Sequence, residues 1–295
     1  MSETVHVLLP VHNRRDLTLR FLGCLRQQTH RPLRLLLIDD GSTDGTSQAV
    51  MAEWPEATII AGNGSWWWAG ALKRAIEHLV VQQISADDIV LIANDDTEIE
   101  RSHIEHAVEF LRAHPGSLLC ARMQDAKTGA IKESGVHADL WRFRFRIARN
   151  AGEINCLPTR GLFLRWRDLR RIGDFHPRLL PHYWSDYEYT IRAHRRGLRC
   201  LTDASVSLRA NPDSTGYHDL DHLVGRDFLR QYFSVKCPLN PVYRSSFAWL
   251  AAPLMAKVPA LLIVWLRALP RMFWQGLACR PFPRRLIESG VRNLE

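Results

Sequence analysis

Cysteine is sparse and dispersed in this chain. Cys24, Cys120, Cys156, Cys200, Cys237 and Cys279 form no Cys-x-x-Cys pair, and none has a histidine at zinc-ligand spacing. Neither a zinc knuckle nor a disulfide framework follows from such spacing; free thiols in a reducing compartment do. No basic segment followed by an apolar run opens the sequence, because Met1-Ser2-Glu3-Thr4 leads straight into a strand pattern. A secretory leader is therefore not expected, and a cytosolic location is the default. Internal repeats and low-complexity linkers are also missing. The longest apolar stretch, Phe247 to Leu266, is interrupted by Lys257, Pro253 and Pro259, which argues against a clean membrane span although ~20 apolar residues would suffice in length.

With 46% hydrophobic residues in a 295-residue chain, there is material for a sizeable core, either as one large domain or as one domain with an appendage. The 39 Lys and Arg against 31 Asp and Glu leave a net charge of +8, which suits anionic partners: phosphates, nucleic acid or acidic lipid head groups. Against that excess, two apolar runs end in acids. Leu33 to Ile38 runs into Asp39-Asp40-Gly41-Ser42, and Ile89 to Ala93 into Asn94-Asp95-Asp96-Thr97. Solid apolar runs bounded by turn residues read as buried parallel strands, and open α/β sheets bind ligands beyond the carboxyl ends of such strands. Carboxylates gathered at one sheet edge repel unless a cation or hydrogen-bond donors lie between them. A metal-bound phosphorylated nucleotide meets that requirement.

The first 115 residues alternate. Strands are expected at Val5–Pro10, Leu33–Ile38, Ala57–Ala61 and Ile89–Ala93. Helices should follow a cap at Asp16, run through Ala49 to Trp54, and span Trp67–Val81. Strands and helices in this rhythm indicate parallel pairing with right-handed crossovers. Later the rhythm weakens. Leu118–Met123 reads as a strand, Lys127-Thr128-Gly129 as a hairpin turn, Asp186–Gly197 as a helix and Leu198–Leu201 as a strand. Trp141 to Arg146 alternates aromatic and basic residues, as a half-buried strand with a cationic face or a phosphate-binding stripe would. In the tail, Arg267, Arg271, Arg280, Arg284 and Arg285 interleave with Trp265, Phe273, Trp274 and Phe282. Two readings stand: helices lying in a membrane interface, and a helical subdomain packed on the core.

Each acidic cluster taken alone is also what a turn or helix cap looks like. Their order along the chain is more specific. Val7-Leu8-Leu9-Pro10-Val11-His12-Asn13, Leu36-Leu37-Ile38-Asp39-Asp40-Gly41-Ser42 and Leu91-Ile92-Ala93-Asn94-Asp95-Asp96-Thr97-Glu98 resemble the opening motifs of family 2 glycosyltransferases. Gly62 to Ala71, Leu157 to Leu162 and Pro181 to Glu188 resemble a bacterial, rhamnosyltransferase-like branch. The resemblance covers about residues 5 to 216. It implies a GT-A fold with a nucleotide-binding half (1–115), an acceptor and catalytic half (116–225), and a helical, basic-aromatic region (226–295).

Carried over by position, the resemblance places Pro10, His12 and Asp39 on the nucleotide base, with His12 where relatives often have a stacking tyrosine. It puts Asp95 on the ribose or the metal, and makes Asp96 the main ligand of a divalent cation (Mn2+ or Mg2+). Asp186 matches the catalytic base, and Glu188 is the second acid nearby. Where many relatives read Glu-Asp, this chain reads Ser185-Asp186. Trp67 and Gly70 are candidates for sugar stacking and for close approach to the diphosphate. Arg160 is a candidate near donor sugar or acceptor, and His218 a candidate late-loop metal ligand. Such an enzyme neutralises the departing nucleoside diphosphate with the cation while a carboxylate takes the acceptor proton, inverting the anomer.

The expected activity is transfer of a UDP- or dTDP-linked sugar to a hydroxyl of a growing cell-surface glycan or lipid-linked saccharide, at the inner face of the membrane. A sugar-phosphate nucleotidyltransferase on a related fold is the enzymatic alternative, although His12-Asn13-Arg14-Arg15 lacks the glycine-rich loop such enzymes carry. A basic nucleic-acid-binding protein would explain the charge but not the acidic strand ends, so no nucleic-acid partner is expected.

Overall fold

Strands buried on both faces need side chains that are apolar throughout, and the amino-terminal runs supply them. The computed structural model describes residues 3–210 and 220–279. Its first part alternates β1 (Val5–Val11), α1 (Arg15–Arg26), β2 (Leu33–Asp39), α2 (Thr46–Glu53), β3 (Thr58–Ala61), α3 (Trp67–Val81) and β4 (Ile89–Ile92). β1 pairs in parallel with β2 and β4, and β2 with β3, in a register that sets Val11 beside Asp39 and Leu8 beside Ile92. The carboxyl ends of β1, β2 and β4 therefore open on one edge.

The remainder is β5 (Thr97–Ile99), α4 (His103–Ala113), β6 (Ser117–Asp125), β7 (Ile131–Glu133), β8 (Val136–Asp139), β9 (Arg144–Ile147), β10 (Leu162–Arg165), α5 (Trp166–Ile172), α6 (Ser185–Arg195) and β11 (Arg199–Ala210). The main sheet runs β3-β2-β1-β4-β10-β6-β11-β5, with β7 paired to β6. β10 is antiparallel to both its neighbours, while β11 is parallel to β6. One core packs on each face of this sheet.

Local expectations needed correction in several places. Asp16 lies in the first turn of α1 rather than capping it, and Arg14 is the flanking residue. Trp141 to Phe143 forms a turn, not a strand, and only Arg144–Ile147 pairs. The alternation of burial nonetheless holds, with Phe143 and Phe145 buried and Arg142 and Arg144 exposed. The strand expected at Leu198–Leu201 continues to Ala210.

After residue 220 come α7 (Gly225–Tyr232), α8 (Pro241–Ala251) and α9 (Lys257–Arg271), followed by a π-helical turn at Met272–Leu277. The long apolar stretch is split between α8 and α9 at Pro253. One face of these helices packs on the preceding part of the chain: Phe247, Ala251, Ala260 and Val264 share a cluster with Phe143, Phe145 and Trp184. The other face is bare, and Trp249, Leu254, Val258, Leu262 and Leu266 are all more than half exposed. Among the described residues, no helix is long and apolar enough to cross a membrane.

Candidate active site

At the end of β2 the two adjacent acids divide their work. Asp40 is buried, and its carboxylate accepts from the backbone N–H groups of Gly64, Trp66 and Trp67, each at 2.9 Å. It thus ties the turn before α3 to β2. Gly41 belongs to the same close approach: with φ +75°, a Cβ there would come within 2.6 Å of the Gly64 nitrogen. Asp39 accepts from the Ser42 N–H at 2.8 Å and from the Ser47 hydroxyl, which holds its carboxylate rigidly at the edge. His12 is exposed beside it, with Nδ1 donating to the Asp40 carbonyl at 2.6 Å. Pro10 stands one residue before the end of β1, paired with Ile38.

The end of β4 carries Asp95 and Asp96. Arg14, at the start of α1, reaches both: its Nε is 3.3 Å from an Asp95 oxygen, and its Nη2 donates to Asp96 at 3.3 Å. Asp95 also accepts from the Thr18 hydroxyl at 3.0 Å. Burial pushes Asp95 up to about 6, with Arg14 and Thr18 pulling it back and Asp96 adding to the rise. Next to this pair, Asn94 Oδ1 is buried without a hydrogen-bond partner. An edge where carboxylates and an orphaned amide oxygen converge is a hard-oxygen environment. Among the described residues no three His, Cys, Asp or Glu side chains gather as a complete metal cage. His218 lies outside the described residues.

The turn before β10 closes on the end of β4. The Gly161 N–H donates to the Ile92 carbonyl at 3.1 Å, and Leu162 pairs with Ile92, so Arg160 sits at the carboxyl end of β4. Arg160 also donates to the Met123 sulfur at 3.3 Å. Its positive charge acts on Asp186, in the first turn of α6. Burial pushes Asp186 up to about 6; the Tyr187 N–H, at 2.8 Å, pulls down, and the Glu133 carboxylate pushes up. Glu133 is brought there by β7, directly opposite Met123. A carboxylate whose pKa is raised by burial is suited to take a proton.

Two nominated residues have other occupations. Glu188 is buried and makes a two-pronged pair with Arg192, at 2.9 and 3.0 Å, while Arg192 also holds the Ile172 and Asp174 carbonyls. It clamps α6 to the segment before it, while the Glu133 carboxylate acts on Asp186 from β7. Gly70 is buried inside α3, where an added Cβ would press on Trp66 at 3.1 Å and approach Pro177 at 3.7 Å, so packing accounts for the glycine. Trp67, in contrast, stands at the start of α3 with its ring 5.9 Å from that of His182, and Ala69 donates to the Pro181 carbonyl at 2.9 Å. Those contacts bring α3 against the turn that carries Asp186. Arg14, Glu133 and His182 were not nominated from the sequence. Arg14 lies in a tract read only for its lack of glycine, and Lys132-Glu133-Ser134 looks like a solvated hairpin.

A mixed sheet with acids at the ends of β2 and β4, joined by a half-buried carboxylate in the first turn of α6, is the arrangement of a GT-A glycosyltransferase. The chain belongs to the family described as Glycosyl transferase family 2, whose sequence model matches residues 6–171. Proteins of two Mycobacterium tuberculosis strains, CDC 1551 / Oshkosh and ATCC 25618 / H37Rv, are 36% identical to it over 231 residues, 69% of this chain and 75% of theirs. Both are described as N-acetylglucosaminyl-diphospho-decaprenol L-rhamnosyltransferase. The fold is similar to that of S. aureus TarS 1-349 in complex with UDP, with a TM-score of 0.56 and 16% identity over 92% of this chain and 72% of that one. It is also similar to the mannosyltransferase PcManGT from Pyrobaculum calidifontis in complex with GDP-Man and Mn2+, with a TM-score of 0.55 and 20% identity over 98% of this chain and 79% of that one. The protein is thus an enzyme that transfers a sugar from a nucleotide-sugar donor.

Proposed function

We propose that the enzyme moves a deoxyhexose such as rhamnose, or a related sugar, from a UDP- or dTDP-linked donor to a hydroxyl of a lipid-linked saccharide, with inversion. The observation that carries the reading is the Ile92–Gly161 tie. It brings Arg160 to the end of β4, and Arg160 also acts on Asp186, which supports a reading in which donor diphosphate and acceptor hydroxyl meet beside this arginine. The acceptor class rests on the description of the mycobacterial relatives.

In this reading Pro10, His12 and Asp39 hold the base, and Trp67 lies against the donor sugar. Asp96, assisted by Asp95 and the orphaned Asn94 oxygen, would hold a divalent cation such as Mn2+ or Mg2+, with His218 a further candidate ligand. The cation, when bound, supplies Lewis-acid neutralisation of the leaving diphosphate. Asp186 takes the acceptor proton, and Arg160 keeps that carboxylate charged when the hydroxyl arrives. The bare apolar face of α8 and α9 supports attachment at the inner face of the cell membrane, where a lipid-linked acceptor is presented. Thermal-shift titration with UDP and dTDP, with and without Mn2+, tests the donor half of the reading. A Mn2+-dependent rise in melting temperature that disappears in Asp96→Asn is expected, and an equal rise without metal would refute the cation assignment.

A further inference from the structure

One cation near the base has no counter-charge. On α8, the Arg244 guanidinium lies over two aromatic rings, 5.0 Å from the centroid of Phe143 and 5.6 Å from that of Trp184. Its Nε is buried without a hydrogen-bond partner, and no carboxylate among the described residues pairs with it. Ring faces attract a cation, but they do not replace the hydration lost on burial. Burial accordingly pulls Arg244 down to about 10, and a second cation, Arg267, acts in the same direction. Arg267 brackets the same ring, its Nη1 donating to the Phe143 carbonyl at 3.0 Å, and burial and Arg144 both lower its own pKa. Three like charges thus converge on Phe143.

The floor under Arg244 is itself held in an unfavourable backbone state. Phe143 has φ +50° and Trp184 φ +71°, a region that bulky residues rarely enter. Both are buried, their rings are 5.7 Å apart, and the Trp184 indole donates to the Pro238 carbonyl at 2.7 Å. Such strain collects at functional sites. Trp184 directly precedes Ser185 and Asp186, so the floor of the cation site is also the turn that presents the base.

In the free protein these features oppose stability: a desolvated guanidinium, a repelling neighbour and two strained aromatics. A bound anion reverses the first two. A guanidinium fork matches phosphate oxygens, and the strength of such a pair grows where water is excluded. The donor diphosphate belongs with Asp95 and Asp96 at the end of β4, whereas Arg244 stands on the C-terminal helices whose outer face is apolar. We propose that Arg244, with Arg267, is a binding site for the phosphate oxygens that join saccharide to lipid in the acceptor. This rests on the lipid-linked reading of the acceptor given above. The acceptor then spans the site with its hydroxyl at Asp186, its phosphates on Arg244 and its lipid along α8 and α9.

Calorimetric titration of the full chain with farnesyl diphosphate, farnesol, dihexanoylphosphatidylglycerol and UDP with Mn2+ tests the assignment. Farnesyl diphosphate should bind at least tenfold more tightly than farnesol. Arg244→Gln should weaken it about 10- to 100-fold, the range for a charge-assisted phosphate contact, leaving farnesol and UDP unchanged. Arg267→Gln should weaken it less. Arg244→Lys keeps the charge without the fork and should lose several-fold, which preserves the test if the glutamine variant does not fold. Unchanged farnesyl diphosphate affinity in both Arg244 variants overturns the proposal. So does an equal loss of UDP affinity, which assigns the charge to the donor, or equal binding of the phosphatidylglycerol, which makes it a head-group site. Failure of the acceptor reading looks different: farnesyl diphosphate still binds through Arg244, while no prenyl-diphosphate saccharide receives sugar.

Discussion

Replacing Asp186 by asparagine removes the proposed proton acceptor while keeping the shape of the first turn of α6. Burial raises the Asp186 carboxyl from 3.8 to about 6, with Glu133 adding to the rise and Arg160 opposing it. A group with that value is roughly 90% ionised at pH 7 and roughly 10% at pH 5. In the unaltered enzyme kcat/KM should therefore fall about tenfold between those pH values, with a midpoint near 6. In Asp186→Asn the rate should drop by about 10²- to 10⁴-fold, the usual contribution of a positioned base, and the residual rate should lose its acid limb. UDP affinity in the presence of Mn2+ should stay within about twofold, since donor groups lie at the other strand ends. The sign for stability follows from the same value. The folded chain holds this proton more tightly than the unfolded one, so the contribution is full below about pH 4 and lost as pH rises through about 6. Above that, the ionised carboxylate opposes folding by at most about 3 kcal/mol, reduced because the residue is partly exposed. Asp186→Asn should therefore melt higher than the parent at pH 8. A flat pH profile from 5 to 7, or a variant within tenfold of the parent rate, would refute the reasoning.

Glu188→Gln should behave in the opposite way, losing about 3–5 kcal/mol in urea unfolding as Arg192 loses its buried partner, with the pH midpoint of kcat/KM unmoved. Asp40→Ala should cost about 1–3 kcal/mol by the same measurement, because three half-buried N–H groups lose one acceptor. For the helical face, flotation with phosphatidylglycerol vesicles should recover the unaltered chain. Leu262→Glu with Leu266→Glu should cut partitioning by at least tenfold, each leucine being worth about 1.5–3 kcal/mol when fully buried.

The amino-terminal sheet was readable because strands buried on both faces are mostly apolar, Arg34 near the start of β2 being an exposed exception. Leu33 to Ile38 and Ile89 to Ala93 announce both the strand and, through the acids that follow, the edge where a ligand belongs. β10 and β5 were not readable in the same way. Leu162–Arg165 is only four residues long, Thr97–Ile99 three, and their antiparallel pairing depends on the path of the chain rather than on composition. Phe143 and Trp184 were beyond the reach of pattern for a different reason. Nothing in an aromatic side chain predicts a left-handed backbone, which is imposed here by packing against Phe247 and by the Trp184–Pro238 bond.

Within the site, spacing alone ranked the acids poorly. Asp39, Asp40, Asp95, Asp96, Asp186 and Glu188 are all carboxylates near strand or helix ends, yet their partners sort them. Asp40 and Glu188 are saturated by N–H groups and by a guanidinium, which makes them clamps. Asp95 and Asp186 instead carry desolvation that exceeds what their hydrogen bonds and arginine neighbours offset, which is why both rise to about 6. The same test explains Ser185. Its hydroxyl is occupied by the His182 carbonyl at 2.5 Å, fixing the turn. The second negative charge at the base arrives from Glu133, opposite Met123, whose sulfur receives Arg160. A negative charge beside Asp186 is thus brought by the β6–β7 pairing, which no local sequence pattern could reveal.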